Sequence, residues 1–164
     1  MRNKKGNAII DGLTILVVLF AFALISVFGM KVFDDVNTDI QADTDMNLTE
    51  AKAVSQDLYD KYPALLDNLL LFAFGLLVIF TLVSVFMLDT HPIFFIITIM
   101  LLVGVFIVAI IFANTYDDLM TDTEFSPYAN QFPYTSWLMT HLVEVMIAVC
   151  FLLSIGLFVK FRMA

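Results

Sequence analysis

The sequence is poor in charge, in cysteine and in basic residues, and each shortage excludes a class of protein. Only 15% of the 164 residues are charged, whereas 61% are hydrophobic; soluble domains have about 25% charged and about 45–50% apolar residues. The single cysteine, Cys150, excludes an intrachain disulfide. The net charge of −8 argues against a nucleic-acid partner, whose phosphates require Lys and Arg. Lipid is therefore the expected surrounding of this chain.

Four apolar runs are each long enough to cross a bilayer, which takes about 20 helical residues. They do not alternate polar and apolar residues, so they predict helices rather than strands. We therefore expect an all-α membrane protein, a single domain over residues 1–164, with four transmembrane helices arranged as two helical hairpins. The expected helices are at about 9–32, 66–88, 92–113 and 137–159. Their short links predict that helices two and three, and three and four, are neighbours.

The charges predict the orientation in the membrane. Five of the eight basic residues flank the first and last helices: Arg2, Lys4, Lys5, Lys160 and Arg162. Residues 34–67 hold nine acidic residues against two lysines, and residues 115–136 hold four acidic residues and no Lys or Arg. Basic flanks stay on the cytoplasmic side, so both termini are expected there, in a cell inner or plasma membrane or a virion membrane. The loops 34–65 and 114–136 then lie outside.

The first outer loop is predicted to be an acidic, extra-membrane helical hairpin between helices one and two. Phe33, Val36 and Ile40 recur at helical spacing, so helix one continues beyond the membrane. A second, short amphipathic helix follows, and Pro63 either ends it or opens helix two. The carboxylates of this hairpin are the candidate surface for docking a partner: Asp34, Asp35, Asp39, Asp43, Asp45, Asp57 and Asp60.

The second outer loop is rich in turn-forming and aromatic residues, so it is expected to lie on the outer leaflet. Thr135 or Ser136 is expected to cap helix four. Single glycines at 75, 104 and 156 are candidates for close helix contacts.

Helix four carries the most unusual polar residues of the apolar runs. Glu144 lies seven positions after Trp137, and His141 precedes it by three on the same helical face. An ionisable group at that depth is a functional hypothesis. Three interpretations stay open: a polar contact between helices with Lys31 or Asn68, a proton or ion role, or placement at the headgroups.

The sequence offers no catalytic, cofactor-binding or metal-binding constellation, so we expect a non-enzymatic protein without a cofactor. The leading hypothesis is a structural or assembly protein in many copies, or part of a larger assembly, whose acidic hairpin docks a basic partner surface. The alternative is a small channel, holin-like pore or transporter that uses the polar face of helix four.

Two resemblances add to these hypotheses. Residues 2–11, RNKKGNAIID, resemble the prepilin signal. Gly6 would precede the cut, and Asp11 takes the carboxylate position, which is normally Glu. The resemblance implies a prepilin-like assembly component, although the three further spans depart from the pilin pattern. The same segment, the Asp-rich hairpin and residues 126–142, SPYANQFPYTSWLMTHL, resemble small multi-spanning membrane proteins of membrane-containing viruses and phages. That resemblance implies a virion membrane component that meets other membrane or capsid-type proteins.

Overall fold

A computed structural model of the protein describes residues 8–43, 49–87 and 92–163. Regular secondary structure in these ranges is helical: α1 (Ala8–Ala42), α2 (Thr49–Met87), α3 (Pro92–Thr121), α4 (Ser126–Ala129), α5 (Pro133–Thr140) and α6 (Leu142–Met163). Three helices are long and apolar enough to cross a membrane, and a fourth span results if α5 and α6 are counted together. The prediction of an all-helical chain with helices of membrane-spanning length is confirmed. Asp45, the link 88–91 and residues 1–7, with their basic cluster and Gly6, lie outside the described ranges.

The long helices form a bundle in which α1 and α6 each pack against both α2 and α3. In the described part of the chain, α2 and α3 make no contact of comparable extent with each other. The cyclic order is therefore α1, α2, α6, α3, with α2 and α3 on a diagonal. The expectation that helices two and three are neighbours is wrong, because α1 and α6 lie between them. The contact between helices three and four is confirmed as α3 against α6.

The centre of the bundle is a stripe of α1 packed against a stripe of α3. Both stripes repeat every three or four residues, the spacing that puts side chains on one helical face. The rings of Phe20 and Phe112 stack across this contact, with centroids 4.1 Å apart. The buried members are Leu16, Leu19, Ala23, Val27 and Met30 of α1, and Val105, Ala109, Ala113 and Tyr116 of α3.

The outward faces are apolar. Large exposed side chains occur on every long helix, among them Ile25, Phe72, Ile111 and Phe158. Contiguous apolar surface of this kind is unfavourable in water and is typical of contact with another apolar phase. The outward faces are therefore suited to contact with lipid.

Helix α2 runs without interruption from Thr49 to Met87 and contains Pro63 in its interior. The prediction that Pro63 ends one helix or opens the next is wrong. Proline removes one backbone hydrogen bond, but Pro63 is buried, and the helix around it is packed on α1. The ring centroids of Phe33 and Tyr62 are 5.5 Å apart just before the proline, so tertiary contacts hold the helix together across it.

The side chain of Tyr62 of α2 lies close to the backbone of α1 at Gly29. A Cβ atom there would lie 2.6 Å from the hydroxyl oxygen of Tyr62, whereas nothing lies within 4 Å of a Cβ built at Gly75 or Gly104. The glycine that allows close packing is thus Gly29. Gly75 and Gly104, which the sequence suggested for this role, make no close contact.

The segment 114–136 is mostly helical rather than a loop. Helix α3 continues to Thr121 and two shorter helices follow. Tyr116 is fully buried, so its packing outweighs the weak helix propensity of the surrounding Asn and Asp residues.

Helix four also differs from its prediction, because α5 and α6 are separate helices bent by 72°. The carbonyl of Trp137 lies within hydrogen-bond distance of the Thr140 hydroxyl, at 3.2 Å, and of His141 Nδ1, at 3.0 Å. Side chains that compete for helical carbonyls in this way favour a break.

Candidate functional site

The part of α1 and α2 that lies beyond their apolar runs is locked by a polar network. Asn37 and Ser55 are both buried. The Ser55 hydroxyl donates to Asn37 Oδ1 at 2.7 Å, and Asn37 Nδ2 donates to Gln56 Oε1 at 3.1 Å. A buried network whose groups are all bonded fixes the register of two helices, since any slip would leave polar groups unpaired. We call this part, residues 31–43 with 49–67, the distal hairpin.

Lys52 closes the end of the distal hairpin. Its ammonium group donates to the carbonyls of Gln41, at 2.9 Å, and Asp43, at 2.7 Å. In return, Gln41 Nε2 donates to the carbonyl of Lys52 at 2.9 Å. A cation at the C-terminal carbonyls of a helix is favourable, so Lys52 stabilises the end of α1.

The predicted acidic docking surface lies on this hairpin. Asp34 is partly buried, and the other described members, Asp35, Asp39, Asp43, Asp57 and Asp60, are exposed. The lysines of the region already have partners within the chain. Lys61 pairs with Asp57 at 2.8 Å and Lys31 pairs with Glu124. The hairpin therefore keeps a strong excess of negative charge.

A short segment, 122–141, folds over the same end of the bundle, and we call it the cap. It contains α4 and α5 and contacts α1, α2 and α3. Phe132, Leu138 and Met139 of the cap are buried. The cap thus completes the core at the end that bears the distal hairpin.

Asp67 of α2 holds the start of α5. It is 2% exposed, and its carboxylate accepts hydrogen bonds from the Tyr134 amide at 2.9 Å, the Thr135 amide at 2.6 Å and the Thr135 hydroxyl at 2.8 Å. Phe132, the N-cap residue of α5, makes no side-chain capping bond. The capping oxygens are therefore supplied by a different helix, and the negative charge sits at the positive end of the α5 dipole.

This arrangement corrects the prediction that Thr135 or Ser136 caps helix four. Asp67 belongs to the acidic segment but was not singled out from the sequence. The available signal was its spacing: Pro63, Asp67 and Leu70 lie on one helical face, and all three are buried.

Further contacts of the Tyr116, Lys31 and Tyr128 side chains fasten the cap to α1 and α3. The hydroxyl groups of Tyr116 and Ser136 are 3.1 Å apart. Lys31, besides pairing with Glu124, lies over the ring of Phe125, 4.9 Å from its centroid.

Tyr128 donates a hydrogen bond to Asp34 Oδ2 at 3.0 Å. This bond to a carboxylate, with desolvation as the second cause, raises the pKa of the Tyr128 hydroxyl above its ordinary value.

The residues proposed for a polar contact within the membrane are not brought together. Lys31 pairs with Glu124 rather than Glu144, and Asn68 Nδ2 donates to the carbonyl of Ala64 within its own helix. His141 stacks on Trp137, with centroids 5.1 Å apart. Glu144 is exposed and lies in the first turn of α6.

His141 lies at the break between α5 and α6, whereas Glu144 lies in the first turn of α6. A position of Glu144 deep in the membrane would require one continuous helix from Trp137. With α6 beginning at Leu142, the carboxylate lies at a helix N-terminus, where a negative charge is favoured.

Within the described ranges, no three His, Cys, Asp or Glu side chains are arranged to hold a metal ion. Comparison with known proteins finds no matching family model, no similar curated protein and no similar solved structure. The distal hairpin, with its acidic surface, and the cap that packs beside it are the candidate functional parts of the described chain.

Proposed function

We propose that this chain is a non-enzymatic structural or assembly protein of a membrane, present in multiple copies, which docks a basic partner through its distal hairpin. The observation that carries the proposal is the rigid, strongly acidic surface of this hairpin. Partner proteins of the membrane or capsid type, in a cell or virion membrane, fit this role.

The length of the helices supports an extra-membrane position for the hairpin. The apolar run of α1 ends at Met30, and α1 continues to Ala42; at 1.5 Å per residue the extension is about 18 Å. Helix α2 begins at Thr49, twenty residues before its apolar run at Leu69. The part of α2 that precedes the run is therefore about 30 Å long. In the proposed orientation, with both termini cytoplasmic, the hairpin projects from the outer face.

The aromatic residues of the cap support a position at the membrane surface. Tyr134 and Trp137 are exposed on one face of α5, and His141 follows at the break. Amphipathic rings favour the headgroup region. A cap held there would set the height of the hairpin above the bilayer.

Rigidity matters for docking because a preorganised surface loses less conformational entropy on binding. The Asn37–Ser55 bond and the Lys52 contacts hold the backbone on which the carboxylates stand. Charge complementarity would then select a basic partner and raise its association rate.

The test is photo-crosslinking in the native membrane, with the crosslinker at Asp39 and mass spectrometry of the products. We expect one basic protein to dominate, with a yield that falls as salt is raised. In the double variant Asp35→Asn/Asp39→Asn the crosslinker is moved to Ala53, because position 39 is substituted. The crosslinking yield should fall several-fold relative to the parent protein with the crosslinker at Ala53. The matched control is Asp117→Asn/Asp118→Asn, which removes the same charge from α3. Equal yields from the two double variants would contradict docking through the hairpin.

A further inference from the structure

An apolar groove runs along the distal hairpin, between α1 and α2. It is open to the surroundings and has a volume of about 420 Å³. Val54 and Leu58 are 59% and 55% exposed, so they stay uncovered in the isolated chain. The groove is lined by Phe33 and Ile40 of α1, and by Glu50, Ala51, Val54, Ser55 and Leu58 of α2.

The groove lies outside the apolar runs that cross the membrane. Ile40 follows Met30 by ten residues, and Leu58 precedes Leu69 by eleven, so both positions are about 15 Å or more along the helices from those runs. Phe33 follows Met30 by three residues and is the lining residue nearest to the apolar run of α1. Lipid chains therefore do not explain the apolar lining, given the extra-membrane position of the hairpin.

Acidic residues flank the groove on both sides. Asp43 directly follows the end of α1, three positions after Ile40. On α2, Glu50 precedes Val54 by four positions and Asp57 follows it by three; such helical spacings place side chains beside one another. Asp57 is paired with Lys61. The apolar floor thus has a predominantly negative rim.

We propose that the groove binds an amphipathic α-helix of the partner, with apolar residues at positions i, i+3 or i+4, and i+7, flanked by Lys or Arg. This inference rests on the proposed docking function and names the chemistry of the partner. The ridge formed by Ala51, Val54 and Leu58 covers two helical turns, which matches this spacing of anchors. The flanking cations would pair with the acidic rim.

The test uses the full chain in nanodiscs of neutral phosphatidylcholine. The probe is a labelled Leu/Lys peptide of about 18 residues with Leu at helical spacing, long enough to form a helix. Its controls are a scrambled peptide of the same composition and a Leu/Glu peptide of the same pattern. Fluorescence anisotropy measures binding, and we expect the amphipathic basic peptide to bind at least tenfold more tightly than either control.

Matched variants locate the binding site. Val54→Ser should weaken binding about fivefold, because it removes apolar area from the groove. Val32→Ser is the control: the same residue type, 61% exposed on α1, outside the groove lining. Glu50→Gln should weaken binding more than Asp35→Asn, which removes a hairpin charge away from the groove. Circular dichroism establishes that each variant is folded.

The outcomes separate this inference from the docking function. Equal binding of the scrambled and amphipathic basic peptides would overturn the groove while leaving an acidic docking surface. Failure of both basic peptides to bind would contradict the docking function as well. Equal binding of the Leu/Glu peptide would overturn the basic character of the partner. A change in oligomer size in Val54→Ser, without peptide binding to the parent protein, would assign the groove to a second copy of this chain.

Discussion

Asp67→Ala is the substitution that most directly tests how the cap is held. The change removes the acceptor of three hydrogen bonds at the start of α5. Tyr134 is 51% exposed, so water can replace the bond to its amide, but Thr135 is fully buried. A buried N–H without a partner costs about 1–3 kcal/mol, and loss of the cap adds about 1 kcal/mol. We expect a loss of about 3 kcal/mol in the free energy of unfolding of the cap.

Hydrogen exchange at the Thr135 amide is the most specific assay for this change. A loss of about 3 kcal/mol corresponds to exchange about a hundredfold faster. Asp67→Asn keeps one carbonyl oxygen, so it should have an intermediate effect. Asp118→Ala is the control, since it removes an exposed carboxylate from α3 and should change the stability by less than about 0.5 kcal/mol. Unchanged Thr135 protection in Asp67→Ala would refute the assignment of Asp67 as the residue that holds α5.

Three further predictions concern other contacts of the same end of the molecule. Gly29→Ala should lower the free energy of unfolding in detergent by about 1 kcal/mol, because its Cβ would lie 2.6 Å from the Tyr62 hydroxyl and the tyrosine side chain must shift; Gly75→Ala, with open space around it, should not. The pKa of Tyr128 is raised by Asp34, so this contact should stabilise the protein fully below the ordinary tyrosine pKa of about 10 and be lost as the pH rises through the raised value. Thermal midpoints measured against pH should show this loss, and Tyr128→Phe should reduce it; Tyr59, whose pKa is also raised, contributes to the loss that remains. Glu144→Cys, with the native cysteine replaced by Ala, should react with a membrane-impermeant maleimide in intact vesicles; no reaction from either side would place the residue deep in the lipid.

The helical class and the extension of α1 could be predicted because they depend on local patterns. Long apolar runs give the spans directly. The spacing of Phe33, Val36 and Ile40 predicted a helix beyond the membrane, and α1 does continue to Ala42. Neither conclusion requires knowledge of which residues meet in space.

The errors came from places where tertiary contacts override local preference. Pro63 is a helix breaker by propensity, yet packing on α1 holds α2 through it. The cap of α5 comes from Asp67, which is 67 and 68 residues away in sequence from the amides it accepts. The break after Thr140 contains neither Gly nor Pro, the usual signals. The side chains of Thr140 and His141 lie within hydrogen-bond distance of the Trp137 carbonyl at this point.

The distribution of polar contacts along the bundle indicates how the helices find one register. Within lipid, apolar side chains gain little by leaving the solvent, so helix association depends on close packing and hydrogen bonds. Ala23, Ala109 and Ala113 are small, buried side chains that allow close packing in the middle of the bundle. Small apolar side chains alone do not fix the axial register of two packed helices. Directional contacts between helices, such as those of Asp67 and Asn37, are found among the described residues of the cap and the distal hairpin. These hydrogen bonds join α1 to α2 and α2 to α5, so in the described part of the chain they fix the register of these helices.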